Sequence, residues 1–82
     1  MTLDQATLGQ AVVVLQIGGE RAFRRRIMEY GLVPGTGATV LRIAPFGDPM
    51  ELETRGSNLS IRLAEARCIQ VALTPAQGGN PA

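Results

Sequence analysis

The chain has 82 residues, 45% of them hydrophobic, which describes one small globular domain that builds its own core rather than a chain disordered throughout. Eight arginines, no lysine and seven acidic residues leave a net charge of +1, too little for a general nucleic-acid binder, so a protein partner is expected instead. With no histidine, no lysine and one cysteine, the chain lacks the usual general base, Walker and Schiff-base lysines, catalytic triads and zinc clusters; neither an enzyme nor a metal or cofactor site is expected.

That cysteine, Cys68, stands beside Ile69 and Val71 and reads as a small buried thiol; alone, it forms no intramolecular disulfide. Met1-Thr2-Leu3-Asp4-Gln5 is not the basic start and apolar run of a secretory leader, and no stretch is long enough to cross a bilayer. The expected location is therefore the cytoplasm.

Leu3 to Gly9 reads as a lead-in of about one helical turn, anchored by Leu3 and Leu8. Ala11 to Ile17 is rich in β-branched residues and too short for a buried helix, so it reads as a strand covered on both faces. Gly18-Gly19 breaks it and opens a helix. At 100° per residue, Phe23, Ile27 and Tyr30 share one side of that helix, while Arg21, Arg24 and Arg25 share the other. From Glu20 to Glu29 four arginines meet two acids, a local net of +2, with Arg25 and Glu29 spaced for an i,i+4 pair. Gly31 supplies the left-handed residue that ends the helix near Tyr30, and Val33-Pro34-Gly35-Thr36 fits a type II turn.

A second strand covers Ala38 to Ala44, and its apolar residues change face between Val40 and Leu41, the mark of a bulge. After the turn-rich Pro45-Phe46-Gly47-Asp48-Pro49, a third strand alternates, with Met50, Leu52 and Thr54 on one face and Glu51, Glu53 and Arg55 on the other. Gly56-Ser57 at the centre of a type II′ hairpin would set Leu52 opposite Ile61 and Glu51 opposite Arg62. Leu59, Ile61 and Leu63 continue the inner face, Ala64 to Ala66 is one helical turn, and Ile69 to Leu73 is a last strand. The expected architecture is mainly β, a small closed barrel of about five strands with a helix inserted between the first and second; residues 1–73 form the domain and 74–82 a disordered tail. Exposed strand edges would allow weak self-association.

Three groups of residues together resemble the FeoA family, ferrous iron transport protein A: Arg26-Ile27-Met28-Glu29-Tyr30-Gly31-Leu32-Val33-Pro34-Gly35, then Ala44-Pro45-Phe46-Gly47-Asp48-Pro49, then Arg55-Gly56 through Leu59-Ser60-Ile61-Arg62 and Glu65-Ala66 to Ile69-Gln70-Val71. The resemblance runs from about Leu3 to Leu73 and implies an SH3-like barrel in which Arg26, Gly31, Pro34, Gly35, Pro45, Gly47, Asp48, Pro49 and Gly56 are structural. Tyr30 stands where the family more often has leucine or methionine.

The resemblance also implies a small cytosolic accessory of the ferrous-iron permease FeoB, acting on that permease's cytosolic GTP-binding region. Two alternatives belong to other classes: a free-standing relative of the C-terminal domain of iron-dependent repressors, and a small-barrel nucleic-acid binder. For an accessory, Arg21, Arg24 and Arg25 are the candidate partner contacts, against the plainer reading of a solvated helix face. The strand face with Glu51, Glu53 and Arg62 is the alternative surface. Arg26, on the flank of the apolar side, is expected to cover the core with its stem and to bond a carbonyl or carboxylate with its head.

Overall fold

The computed structural model describes residues 1–74. Alternating apolar residues and turn-forming glycines cut the chain into β1 (Ala11–Ile17), α1 (Arg21–Glu29), β2 (Gly37–Ile43), β3 (Met50–Thr54), β4 (Ser57–Ile61), α2 (Leu63–Ala66) and β5 (Ile69–Leu73), after a 3-10 turn at Leu3–Gln5. The strands form one antiparallel sheet in the order β4-β3-β2-β1-β5. Each strand sends a fully buried side chain into a single core, Val12, Val40, Leu52, Ile61 and Val71, and α1 adds Ile27. Full burial of one such aliphatic side chain stabilises by about 1.5–3 kcal/mol, so this shared cluster holds the inserted helix on the sheet.

The expected closed barrel does not form. Among the described residues no ladder joins β4 to β5, because β4 gives way to α2 after Ile61 and the chain reaches β5 without a strand segment to bond the far edge. Nor is β1 covered on both faces: Val12, Val14 and Ile17 are buried, whereas Ala11 and Leu15 are exposed. The β-branched run expresses strand preference rather than two-sided burial, and Leu15 is the extra residue where the pairing with β5 shifts between Val14 and Gln16. Leu8, expected as an anchor, is 65% exposed; Ala6 fills that place beside Leu3.

In β2 the pairing with β3 shifts between Val40 and Arg42, so the change of face at Leu41 is a bulge. Helix α1 ends as its sequence requires. Tyr30 is the C-cap, Gly31 follows at φ +98°, and its N–H donates to the Met28 carbonyl at 2.9 Å, while Leu32 packs into the core. The Thr36 N–H then closes the Val33–Thr36 turn on the Val33 carbonyl at 2.9 Å, with Gly35 at φ +93°. Reciprocal bonds from Gly35 N–H to the Val14 carbonyl and from Val14 N–H to the Thr36 carbonyl, both 2.8 Å, stitch this turn to β1.

The β3–β4 hairpin departs from its expected register. Its two central residues are Arg55 and Gly56, at φ +55° and +80°, a type I′ turn, which pairs Leu52 with Leu59 and Glu51 with Ser60. The offset is even, so the apolar residues keep their face, but Leu52 does not meet Ile61 and Glu51 does not meet Arg62. Thr74, the first residue of the expected tail 74–82, donates its N–H to the Ala11 carbonyl at 2.9 Å; the rest of that tail lies outside the described residues.

Candidate functional site

On α1, burial of Ile27 and partial packing of Phe23 turn the opposite side of the helix to solvent. There Arg21, Arg24, Arg25, Met28 and Glu29 line one shallow depression. Arg24 folds back, its Nη1 donating to the Gly19 carbonyl at 2.9 Å. Arg21 and Arg25 are exposed and form no ion pair among the described residues; the expected Arg25–Glu29 pair does not form, so both guanidinium groups face water. Met28, at 42% exposure, gives this basic surface an apolar centre. Positive charge gathered on one face attracts an acidic surface at long range.

Arg26 points elsewhere. Its guanidinium carbon lies 5.7 Å from the centroid of the Phe23 ring and its Nη2 lies 3.5 Å from Glu65 Oε2, joining α1 to α2. The residues between β2 and β3 also serve α2: Asp48 Oδ1 accepts the Leu63 N–H at 3.0 Å and lies 3.6 Å from Arg62 Nε. A carboxylate at the first turn of a helix satisfies donors that have no partner within the helix. Gly47 supports the loop at φ +81° and bonds the Ala44 carbonyl at 2.7 Å.

The alternative face does not assemble as one patch. Glu51 pairs with Arg42 at 3.5 Å, Arg62 turns to Asp48, and Glu53 stays exposed without an ion pair among the described residues. Consequently Asp48, Glu51 and Glu53 do not converge, and among the described residues no group of three histidine, cysteine or acidic side chains is arranged to hold a metal. Cys68 is half-buried rather than buried, its Sγ donating to the Ala64 carbonyl at 3.7 Å.

Three residues gain weight that sequence reasoning did not give them. Glu65 touches both helices; Arg55 occupies a left-handed turn position and reaches Thr36 Oγ1 at 3.5 Å; Phe46 is 95% exposed. Only Glu65 had a local signal, its place three residues after Arg62 at the start of a helix.

The fold defines a small mainly antiparallel β domain of five strands with a helix inserted between the first and second, the outer face of that helix being basic. The family model for the FeoA domain matches residues 1–73, and the chain belongs to the FeoA family. It is 36% identical over 73 residues to the Fe(2+) transport protein A/Fe(2+) transporter FeoB fusion protein of Porphyromonas gingivalis, covering 89% of this chain and 9% of that protein. The chain thus spans about a tenth of that relative.

Among solved structures, the FeoA protein from Chlorobium tepidum is 39% identical with a TM-score of 0.85, covering all of this chain and 78% of that one. Stenotrophomonas maltophilia FeoA, described as a prokaryotic SH3 domain protein and solved with zinc, is 26% identical with a TM-score of 0.76, covering 88% and 89%. The manganese regulator SloR and a manganese-dependent transcriptional repressor share the fold at 18% and 17% identity, a likeness of fold alone.

Proposed function

We propose that this domain is a cytoplasmic accessory of a FeoB-type ferrous-iron transporter, a binding module rather than an enzyme, which docks on the transporter's cytosolic GTP-binding region through the outer face of α1. The observation that carries the reading is the fused relative, in which FeoA and FeoB portions share one polypeptide. Fusion holds two modules at high effective concentration, an arrangement that serves partners which act in contact. No helix among the described residues is long and apolar enough to cross a membrane, in keeping with a domain that reaches the bilayer through its partner.

The α1 surface supports the choice of face. Arg21 and Arg25 form no ion pair among the described residues, so docking onto carboxylates breaks no salt bridge there. The test is a titration of the purified GTP-binding region of a FeoB protein with the wild-type chain and with the Arg21→Glu/Arg25→Glu variant. Those two positions are preferred to Arg24, whose reversal would also remove the bond to Gly19. Affinity is expected to fall by about tenfold or more. Equal binding by the folded variant moves the interface off α1, and no binding by the wild type removes the partner.

A further inference from the structure

The two edges of the sheet are protected unequally. At β5 the chain start lies alongside the strand: the Val71 N–H donates to the Met1 carbonyl at 2.8 Å, and Thr2 bridges to Gln70. At β4 nothing comparable exists among the described residues; the strand pairs with β3 alone, and Ser57, Asn58 and Ser60 are exposed. Across a two-residue type I′ turn the flanking pair, Thr54 and Ser57, exchanges backbone bonds. Alternation along the ladder then directs the N–H and C=O groups of Asn58 and Ser60 away from β3. Edge strands are ordinarily blunted by proline, charge or a bulge, and Ser57-Asn58-Leu59-Ser60-Ile61 carries none of these.

We propose that the free edge of β4 is a binding site that takes an extended segment of a protein partner as an added strand, with a basic side chain on the outer face of the sheet and an apolar one on the inner face. The outer requirement comes from Glu53. It lies opposite Asn58 on the surface next to the edge and has no ion pair among the described residues, whereas the Glu51 charge is met by Arg42 at 3.5 Å and by Asn58 Nδ2 at 3.3 Å. An arginine beside Asn58 on the added strand reaches across it to Glu53. On the inner face Leu59 is only partly buried against the core, and an apolar side chain on the added strand completes its cover. A second copy of this chain is a poor occupant, since its own β4 has no basic residue and edge-to-edge pairing brings two Glu53 side chains onto one surface. The segment must end near Ile61, because α2 begins at Leu63.

The proposal does not depend on the α1 interface. Its test uses the full chain and a capped synthetic peptide alternating valine and arginine, with a valine–glutamate peptide as control. Amide hydrogen exchange followed by NMR is expected to slow at Asn58 and Ser60 on adding the arginine peptide, and the control peptide should bind about tenfold more weakly. Ser60→Pro removes one outward donor at a place where an edge strand tolerates proline, and should weaken binding by about tenfold; Glu53→Gln should weaken it severalfold and flatten its salt dependence. Unchanged exchange at Asn58 and Ser60 under saturating peptide overturns the proposal, a reading of the wild-type chain that no folding defect can obscure. Protection of these amides that rises with protein concentration and without peptide also overturns it, making a second copy the occupant.

Discussion

The Arg26 guanidinium lies 3.5 Å from Oε2 of Glu65, while Oε1 of that carboxylate accepts the Arg62 N–H at 2.9 Å. One side chain thus ties the inserted helix to α2 and satisfies an unpaired donor at the α2 N-terminus. The two roles differ in weight. A carboxylate that accepts a backbone donor at a helix start is worth about 0.5–2 kcal/mol, whereas an ion pair with its arginine side chain 54% exposed contributes about 0–1 kcal/mol. Glu65→Ala is therefore expected to destabilise by about 1–2 kcal/mol and Arg26→Ala by less, measured by urea unfolding. A larger loss from Arg26→Ala would assign the main role to the ion pair and the Phe23 contact.

Gly31 and Gly19 both have positive φ for different reasons. At Gly31, φ +98°, a Cβ would meet nothing within 4 Å, so a substitution costs backbone strain and no clash; at Gly19, φ +90°, it would stand 2.9 Å from the Phe23 ring. Gly31→Val is expected to lower stability by about 1 kcal/mol or more, and Gly31→Asn by clearly less, because asparagine tolerates the left-handed region. Thermal melts of the two variants compared with wild type measure the difference.

What the sequence revealed and what it hid follow from the range of the interactions. The α1 stop at Gly31, the turn at Gly35, the β2 bulge at Leu41 and the bounds of β5 are local, set by residues adjacent in the chain. The exposure of Leu8 and Leu15, the open β4 edge and the Arg26–Glu65 contact depend on which segments meet, and no spacing rule carries that information. The three helix arginines fall on one surface as their periodicity requires, but the bond from Arg24 to Gly19 and the failure of Arg25 to pair with Glu29 become visible only in three dimensions.

The β3–β4 turn has another form than its glycine suggests, because Arg55 also takes a positive φ. Glycine at the first central position suggests a type II′ turn, yet Arg55 takes φ +55° and precedes Gly56 in a type I′ turn, where asparagine is the favoured first residue. Arg55→Asn should stabilise by about 0.5–1 kcal/mol, less whatever the 3.5 Å contact with Thr36 contributes. If chemical denaturation shows the variant to be less stable, that contact outweighs the turn preference.

Metal should leave the fold unmoved. Because no trio of histidine, cysteine or acidic side chains converges among the described residues, Fe(II) added anaerobically is expected to shift the melting temperature no more than Mg(II) does. A stoichiometric stabilisation specific to Fe(II) would recast the domain as a metal sensor or carrier.

The last prediction concerns the rate of docking. Arg21 and Arg25 are exposed, and in the stretch from Glu20 to Glu29 four arginines against two acids give a local net charge of +2, while the whole chain carries only +1. A field concentrated on one helix attracts an acidic partner most strongly before contact, so charge there governs association more than dissociation. Screening shortens that reach: the Debye length falls from about 10 Å at 0.1 M salt to about 3 Å at 1 M. Stopped-flow or biosensor measurements with the GTP-binding region should therefore show the association rate constant falling as salt rises, with dissociation little changed. For Arg21→Glu/Arg25→Glu the slope should flatten or reverse sign, because the helix stretch changes from +2 to −2. A wild-type association rate independent of salt, alongside genuine binding, would mean that contact is made through an uncharged surface such as that around Phe46, which is 95% exposed.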